Sequence, residues 1–105
     1  MFTLNPLPPQ ISPALVQKLV RAEPATIGHF RDWGFMDPGI RAMQSDRRIA
    51  GTAVTVHQPG VDGTIVGYAL GQIRPGDVLV IDRCGDMGHA GFGGLVWYAG
   101  KGPKV

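Results

Sequence analysis

Apolar positions along this chain change period several times, and each change marks an element. Leu15, Val16, Leu19 and Val20 recur at helical spacing behind Ser12-Pro13, a hydroxyl N-cap followed by a proline suited to the first helical position. Lys18 and Arg21 suit the C-terminal end of that helix, and Pro24 stops it. Thr26 is expected to cap a second, shorter helix over roughly 27–33, closed by Gly34 as a left-handed residue. Residues 49–57, Ile-Ala-Gly-Thr-Ala-Val-Thr-Val-His, are rich in β-branched and small side chains and predict a strand. Asp62 is placed to cap a helix over 63–73, where Ile65, Val66, Ala69, Leu70 and Ile73 again repeat at helical spacing. Val78-Leu79-Val80-Ile81 is unbroken, which predicts a strand buried on both faces and ending at Asp82. Residues 49–82 therefore read as a β-α-β unit with a parallel pair.

The segment after the second strand carries the candidate chemistry. A glycine-rich loop runs from Gly85 to Gly94, and a short apolar segment from Leu95 to Ala99 opens a helix. Unpaired N–H groups at a helix start point outward, and glycine lets a ligand approach them, so this order is the recipe for a carboxylate or phosphate site. The strict nucleotide fingerprints fail. Gly91 and Gly93 are followed by Val96 where a third glycine belongs, and Lys101 is followed by Gly102 rather than Ser or Thr. Asp82 and Asp86 flank the loop and His89 lies within it; these are accessory candidates, with loop capping the competing role for both acids. His29, His57 and His89 lack the spacing of metal ligands on one helix face. Cys84 has only Arg83 beside it in sequence, which does not make it a nucleophile, and Arg83 is read as pointing to solvent. Trp33, Trp97 and Tyr98 are expected to fill the core or a subunit contact.

Composition narrows the class. Sixteen glycines in 105 residues is about twice the usual share of ~7%, as tight loops and close backbone approaches require. The net charge of +2 is spread thinly, with only Arg47-Arg48 adjacent, which is not the footprint of a nucleic-acid binder. One cysteine excludes an internal disulfide and any Cys-based zinc cluster. No apolar run approaches the ~18 residues of a membrane span, and the N-terminus lacks the pattern of a signal peptide, so a cytoplasmic location is expected. Pro6, Pro8 and Pro9 make residues 1–11 an extended arm.

Three phrases in order, Ala53-Val54-Thr55-Val56, then Arg74-Pro75-Gly76-Asp77-Val78-Leu79-Val80-Ile81-Asp82, then Ala90 with Gly93-Gly94-Leu95-Val96, resemble the RraA-like family. That family holds the 4-hydroxy-4-methyl-2-oxoglutarate aldolases and the regulators of ribonuclease E activity, and the resemblance runs from about residue 25 to 100. It implies an α/β/β/α sandwich of the swivelling β/β/α type, a homo-oligomer (trimer or hexamer), and a site between subunits. It also implies that backbone N–H groups of Gly93, Gly94, Leu95 and Val96 hold the carboxylate of a 2-oxo acid or dicarboxylate. In the aldolases an Arg-Asp pair about twenty residues downstream binds substrate and a divalent metal, Mg2+ or Mn2+. The sequence departs from the pattern at Gly94, where the aldolases carry an acid, and at His29, where an Asp is common.

No Arg-Asp pair follows the loop within these 105 residues, so neither a catalytic residue nor a metal ligand is carried over. The expectation is a single domain lacking its C-terminal half, with an incomplete sandwich and an aldolase or oxaloacetate decarboxylase ancestry but no turnover. The alternative is a non-enzymatic, protein-binding regulator of ribonuclease activity.

Overall fold

The structure, a computed structural model, describes residues 1–94. Leu95, Val96, Trp97 and Tyr98 therefore lie outside the described residues. The chain divides into two compact units, one of residues 11–50 and the other of residues 1–10 with 51 onward. Among the described residues the elements are mixed helix and strand with a parallel two-stranded sheet, an α/β arrangement of the kind the resemblance implies. Among the described residues no helix is long and apolar enough to cross a membrane.

In the unit of residues 11–50, α1 spans Pro13–Arg21, and the Ser12 hydroxyl accepts a bond from the Leu15 N–H as expected of an N-cap. The second helix, α2, differs from expectation. It spans Pro24–Gly28, starting and ending earlier than the Thr26 cap predicts, with Glu23 as its N-cap residue. The physical reason is that Pro24 cannot continue α1 but fits the first position of a new helix, where no N–H is needed. Gly34 does adopt left-handed backbone (φ 87°), but in a loop beyond α2. Trp33 is exposed rather than in a core, with the Arg31 guanidinium 5.1 Å from its ring centroid.

The other unit holds β1 (Thr52–His57), α3 (Thr64–Gln72) and β2 (Asp77–Asp82). The strands pair in parallel, from Thr52 opposite Asp77 to His57 opposite Asp82. β1 starts later than Ile49, where the apolar pattern predicts it, because its ladder begins where the Thr52 N–H reaches the Gly76 carbonyl, 3.1 Å. Gly51 lies against that carbonyl so closely that any Cβ would collide with it. At α3, Asp62 acts from just outside the helix: its Oδ1 accepts from the Thr64 N–H and hydroxyl, while Gly63 is the N-cap residue.

Side chains alternate along both strands, so Val54, Val56, Leu79 and Ile81 share one face. α3 lays Val66 and Ala69 on that face, with Ile65 and Leu70 beside them. Burying a valine such as Val66 contributes about 1.5–3 kcal/mol. The second face departs from the sequence expectation. Val80 is 39% exposed, because no described element covers that side of the sheet.

One charged turn fastens this unit. The Asp77 N–H donates to the Arg74 carbonyl, with Pro75 between and Gly76 at φ 88°, the arrangement of a type II turn. The Asp77 carboxylate is fully shielded and accepts from the Arg74 backbone N–H, the Arg74 guanidinium and Gln10 Nε2. The N-terminal arm is tied to the same point, since Arg74 also donates to the Pro8 carbonyl and Gln10 to that of Pro75. The Arg74 guanidinium, foremost, holds the Asp77 carboxyl down to about 2. A depressed carboxylate stabilises the fold above its unfolded value near 3.9 and loses that contribution as pH falls through the folded one. Asp77→Asn should therefore cost about 1.5–3 kcal/mol in urea unfolding at pH 7. Its difference from the parent should shrink between about pH 4 and pH 2. A pH-independent difference would contradict this reading.

Candidate functional site

The parallel register brings the last residues of both strands side by side. His57 ends β1, Asp82 ends β2, and the two face the same side of the sheet. His57 Nδ1 lies 3.2 Å from Asp82 Oδ2. Beyond Asp82 the chain reverses. The Asp86 N–H donates to the Arg83 carbonyl, and Cys84 and Gly85 between them have φ of 56° and 80°, the signs of a type I′ turn. Left-handed backbone costs a non-glycine residue about 1–2 kcal/mol. Here Asp82 Oδ1 offsets part of that cost by accepting the Cys84 N–H at 2.8 Å. The turn carries Cys84 Sγ back over His57, 3.3 Å from Nε2 and 3.4 Å from Nδ1.

Cys84 thus has an imidazole beside it, which corrects the sequence expectation that only Arg83 is near. The clue was in the sequence only as two strand ends, His57 and Asp82. The register that joins them, and the turn that returns Cys84, were not visible there. Partial desolvation, then the Asp82 charge, raises the exposed Cys84 thiol above its ordinary value. The Cys84 N–H bond, then the His57 contact, lowers the Asp82 carboxyl.

The other acid serves the loop. Asp86 accepts from the Gly88 N–H, 2.9 Å, and has His89 Nδ1 at 3.1 Å and the Arg83 Nη2 at 2.8 Å. The Gly88 N–H, then His89, lowers its carboxyl. Each acid thus accepts a backbone N–H two residues on, while Asp82 keeps its Oδ2 toward His57. Arg83 does not point to solvent as expected. It is folded under the loop, donating to Asp86 and the His89 carbonyl, with its guanidinium packed against Gly91. Among the described residues its Nε and Nη1 are buried without a partner. The reason is the turn at Cys84-Gly85, which reverses the backbone and draws the Arg83 side chain beneath the loop.

Gly93 and Gly94 are exposed, and a Cβ at either would meet nothing within 4 Å among the described residues. Leu95 and Val96, the other half of the expected carboxylate site, lie outside the described residues.

A family model described as RraA-like, Aldolase/RraA, matches residues 22–101. The chain belongs to the RraA-like family. No solved structure matches the chain. The RraA-like match covers β1, α3, β2 and the glycine loop together, and so includes every candidate residue named above.

The Mg2+ or Mn2+ of RraA-like aldolases can be tested against these side chains. Hard cations of this kind take about six oxygen ligands, carboxylates and waters among them. Among the described residues the one cluster of three ligand-type groups is His57, Asp82 and Cys84, with a single carboxylate and a thiol. Asp86 is spent on Arg83, His89 and Gly88. These residues do not fit a hard, oxygen-ligated cation.

Gly91 sets how tightly the loop can close. A Cβ there would stand 2.7–2.8 Å from Arg83 Cδ, Nε and Cζ, displacing the guanidinium from Asp86. Gly91→Ala should release that pair and speed amide exchange at Asp86 and Gly88 by roughly five-fold. Exchange unchanged at both amides would show that Arg83 does not hold the loop.

Proposed function

We propose that this RraA-like chain binds the carboxylate of a small 2-oxo acid or dicarboxylate on the N–H groups of Gly93, Gly94, Leu95 and Val96. We further propose that these 105 residues alone do not turn it over. The observation that carries the reading is the family match, which spans the loop. The open space at Gly93 and Gly94 supports it, because a ligand can reach the backbone there.

The want of turnover follows from charge. Retro-aldol cleavage of a 4-hydroxy-2-oxo acid, or decarboxylation of oxaloacetate, leaves a pyruvate enolate whose oxygen needs a cationic neighbour. Backbone N–H donors supply only the neutral part of that environment. Arg83 is the cation that precedes the loop in sequence, and its charge is offset by Asp86 at 2.8 Å. No Arg-Asp pair follows the loop in these residues. Loss of one such electrostatic element costs a factor of about 10² to 10³ in rate. Binding survives because it uses only the loop. Exposed Phe30, Trp33, Phe35 and Met36 support the homo-oligomeric state, trimer or hexamer, that goes with this reading.

Calorimetric titration with oxalate should show binding to the parent and at least a ten-fold loss in Gly93→Val, whose side chain has room in the fold but blocks the ligand. Pyruvate release from 4-hydroxy-4-methyl-2-oxoglutarate and from oxaloacetate, with Mg2+, should be lower by a factor of about 10² or more than in a chain extended by a family C-terminal half. Comparable turnover by the short chain would place the catalytic centre within residues 1–105. Absence of oxalate binding by the parent would remove the carboxylate site and favour the ribonuclease-regulating kind of RraA-like protein.

A further inference from the structure

We propose that His57, Asp82 and Cys84 form a three-ligand site for a borderline-soft divalent cation of the Zn2+ class. The three side chains come from both strand ends and the turn beyond the second, and one ligand atom of each lies within 4.8 Å of the others. His57 Nδ1 is the common neighbour, 3.2 Å from Asp82 Oδ2 and 3.4 Å from Cys84 Sγ. Metal bonds of about 2.3 Å to sulfur, ~2.1 Å to nitrogen and ~2.0 Å to oxygen at tetrahedral angles set N···S near ~3.6 Å and N···O near ~3.3 Å. These two separations fall within a few tenths of an ångström of such edges; Sγ also lies 3.3 Å from Nε2, over the ring face, so the Cys84 side chain turns toward the in-plane lone pair of Nδ1 when a cation enters.

The backbone is arranged to keep these groups together. The parallel register places His57 opposite Asp82. Asp82 divides its oxygens, giving Oδ1 to the Cys84 N–H and leaving Oδ2 toward His57. That bond holds Cys84 in left-handed backbone, the conformation that returns Sγ to the imidazole. A glycine would adopt it without strain, so the thiol is kept at a local cost. Arg83, the adjacent cation, is engaged by Asp86.

The ligand set decides the metal. Thiolate with imidazole and one carboxylate favours Zn2+ over Mg2+ or Ca2+, which prefer oxygen. Three protein ligands leave one tetrahedral position, and the side chains of His57 and Asp82, 71% and 67% exposed, leave it open to water. This site uses none of the loop N–H groups of the proposed carboxylate site, and its test contains no 2-oxo acid, so the two readings fail separately.

The test is titration of the EDTA-stripped 105-residue chain with Co2+ and then Zn2+. Expected are one equivalent bound, a thiolate-to-cobalt charge-transfer band, and its loss on adding Zn2+. Cys84→Ser and His57→Ala should each weaken Zn2+ binding by about 10² or more, while His29→Ala leaves it unchanged. Circular dichroism checks that each variant folds. In the unmutated chain, Zn2+ but not Mg2+ should slow alkylation of Cys84, the one thiol, by at least ten-fold as read by intact mass. Absence of the charge-transfer band, an affinity unchanged by Cys84→Ser, or alkylation indifferent to Zn2+ would overturn the site.

Discussion

The fixed register of two parallel strands is the constraint on which everything else rests. At one end the Thr52 N–H meets the Gly76 carbonyl; at the other the Gln58 N–H meets that of Asp82, 2.8 Å. A slip of one residue would send Val54, Val56, Leu79 and Ile81 to opposite faces and strip α3 of its partner surface. It would also part His57 from Asp82. Packing and chemistry are thus set by one choice of pairing. The type II turn at Arg74–Asp77 sets where β2 begins, and a shielded carboxylate holds that turn.

Aspartates are the chain's loop-forming device. Asp37, Asp62, Asp82 and Asp86 each accept from a backbone N–H two residues on. Their bonds explain the lowered carboxyls of Asp62, where the Thr64 hydroxyl acts first, and of Asp82 and Asp86. An acid spent on its own backbone has fewer oxygens for a hard cation. The same economy leaves Asp82 with one oxygen turned toward an imidazole and a thiol, which is a different kind of site.

Much of this was legible in the sequence because local chemistry and tertiary context agree. Ser12-Pro13, Pro75-Gly76-Asp77 and the spacing of Val66 and Ala69 each specify their element unaided, and the β-α-β order is their consequence. The α2 boundary was misread because Pro24 both stops one helix and starts the next. The depth of burial of β2 was misread because a continuous apolar run signals two covered faces, whereas α3 covers one. The family was legible in three short phrases. The meeting of His57 with Cys84 was not, since it needs the register and two successive left-handed residues. Nor was the inward turn of Arg83, which depends on the same reversal.

The register can be measured without a mutation. Scalar couplings across hydrogen bonds connect an amide nitrogen to the carbonyl carbon that accepts its proton. In a ¹⁵N,¹³C-labelled chain the Gln58 nitrogen should couple to the Asp82 carbonyl carbon, and the Thr52 nitrogen to that of Gly76. Couplings of these amides to Ile81 or Arg83, and to Pro75 or Asp77, would mean a different register, and both the core on α3 and the cluster at the strand ends would have to be abandoned.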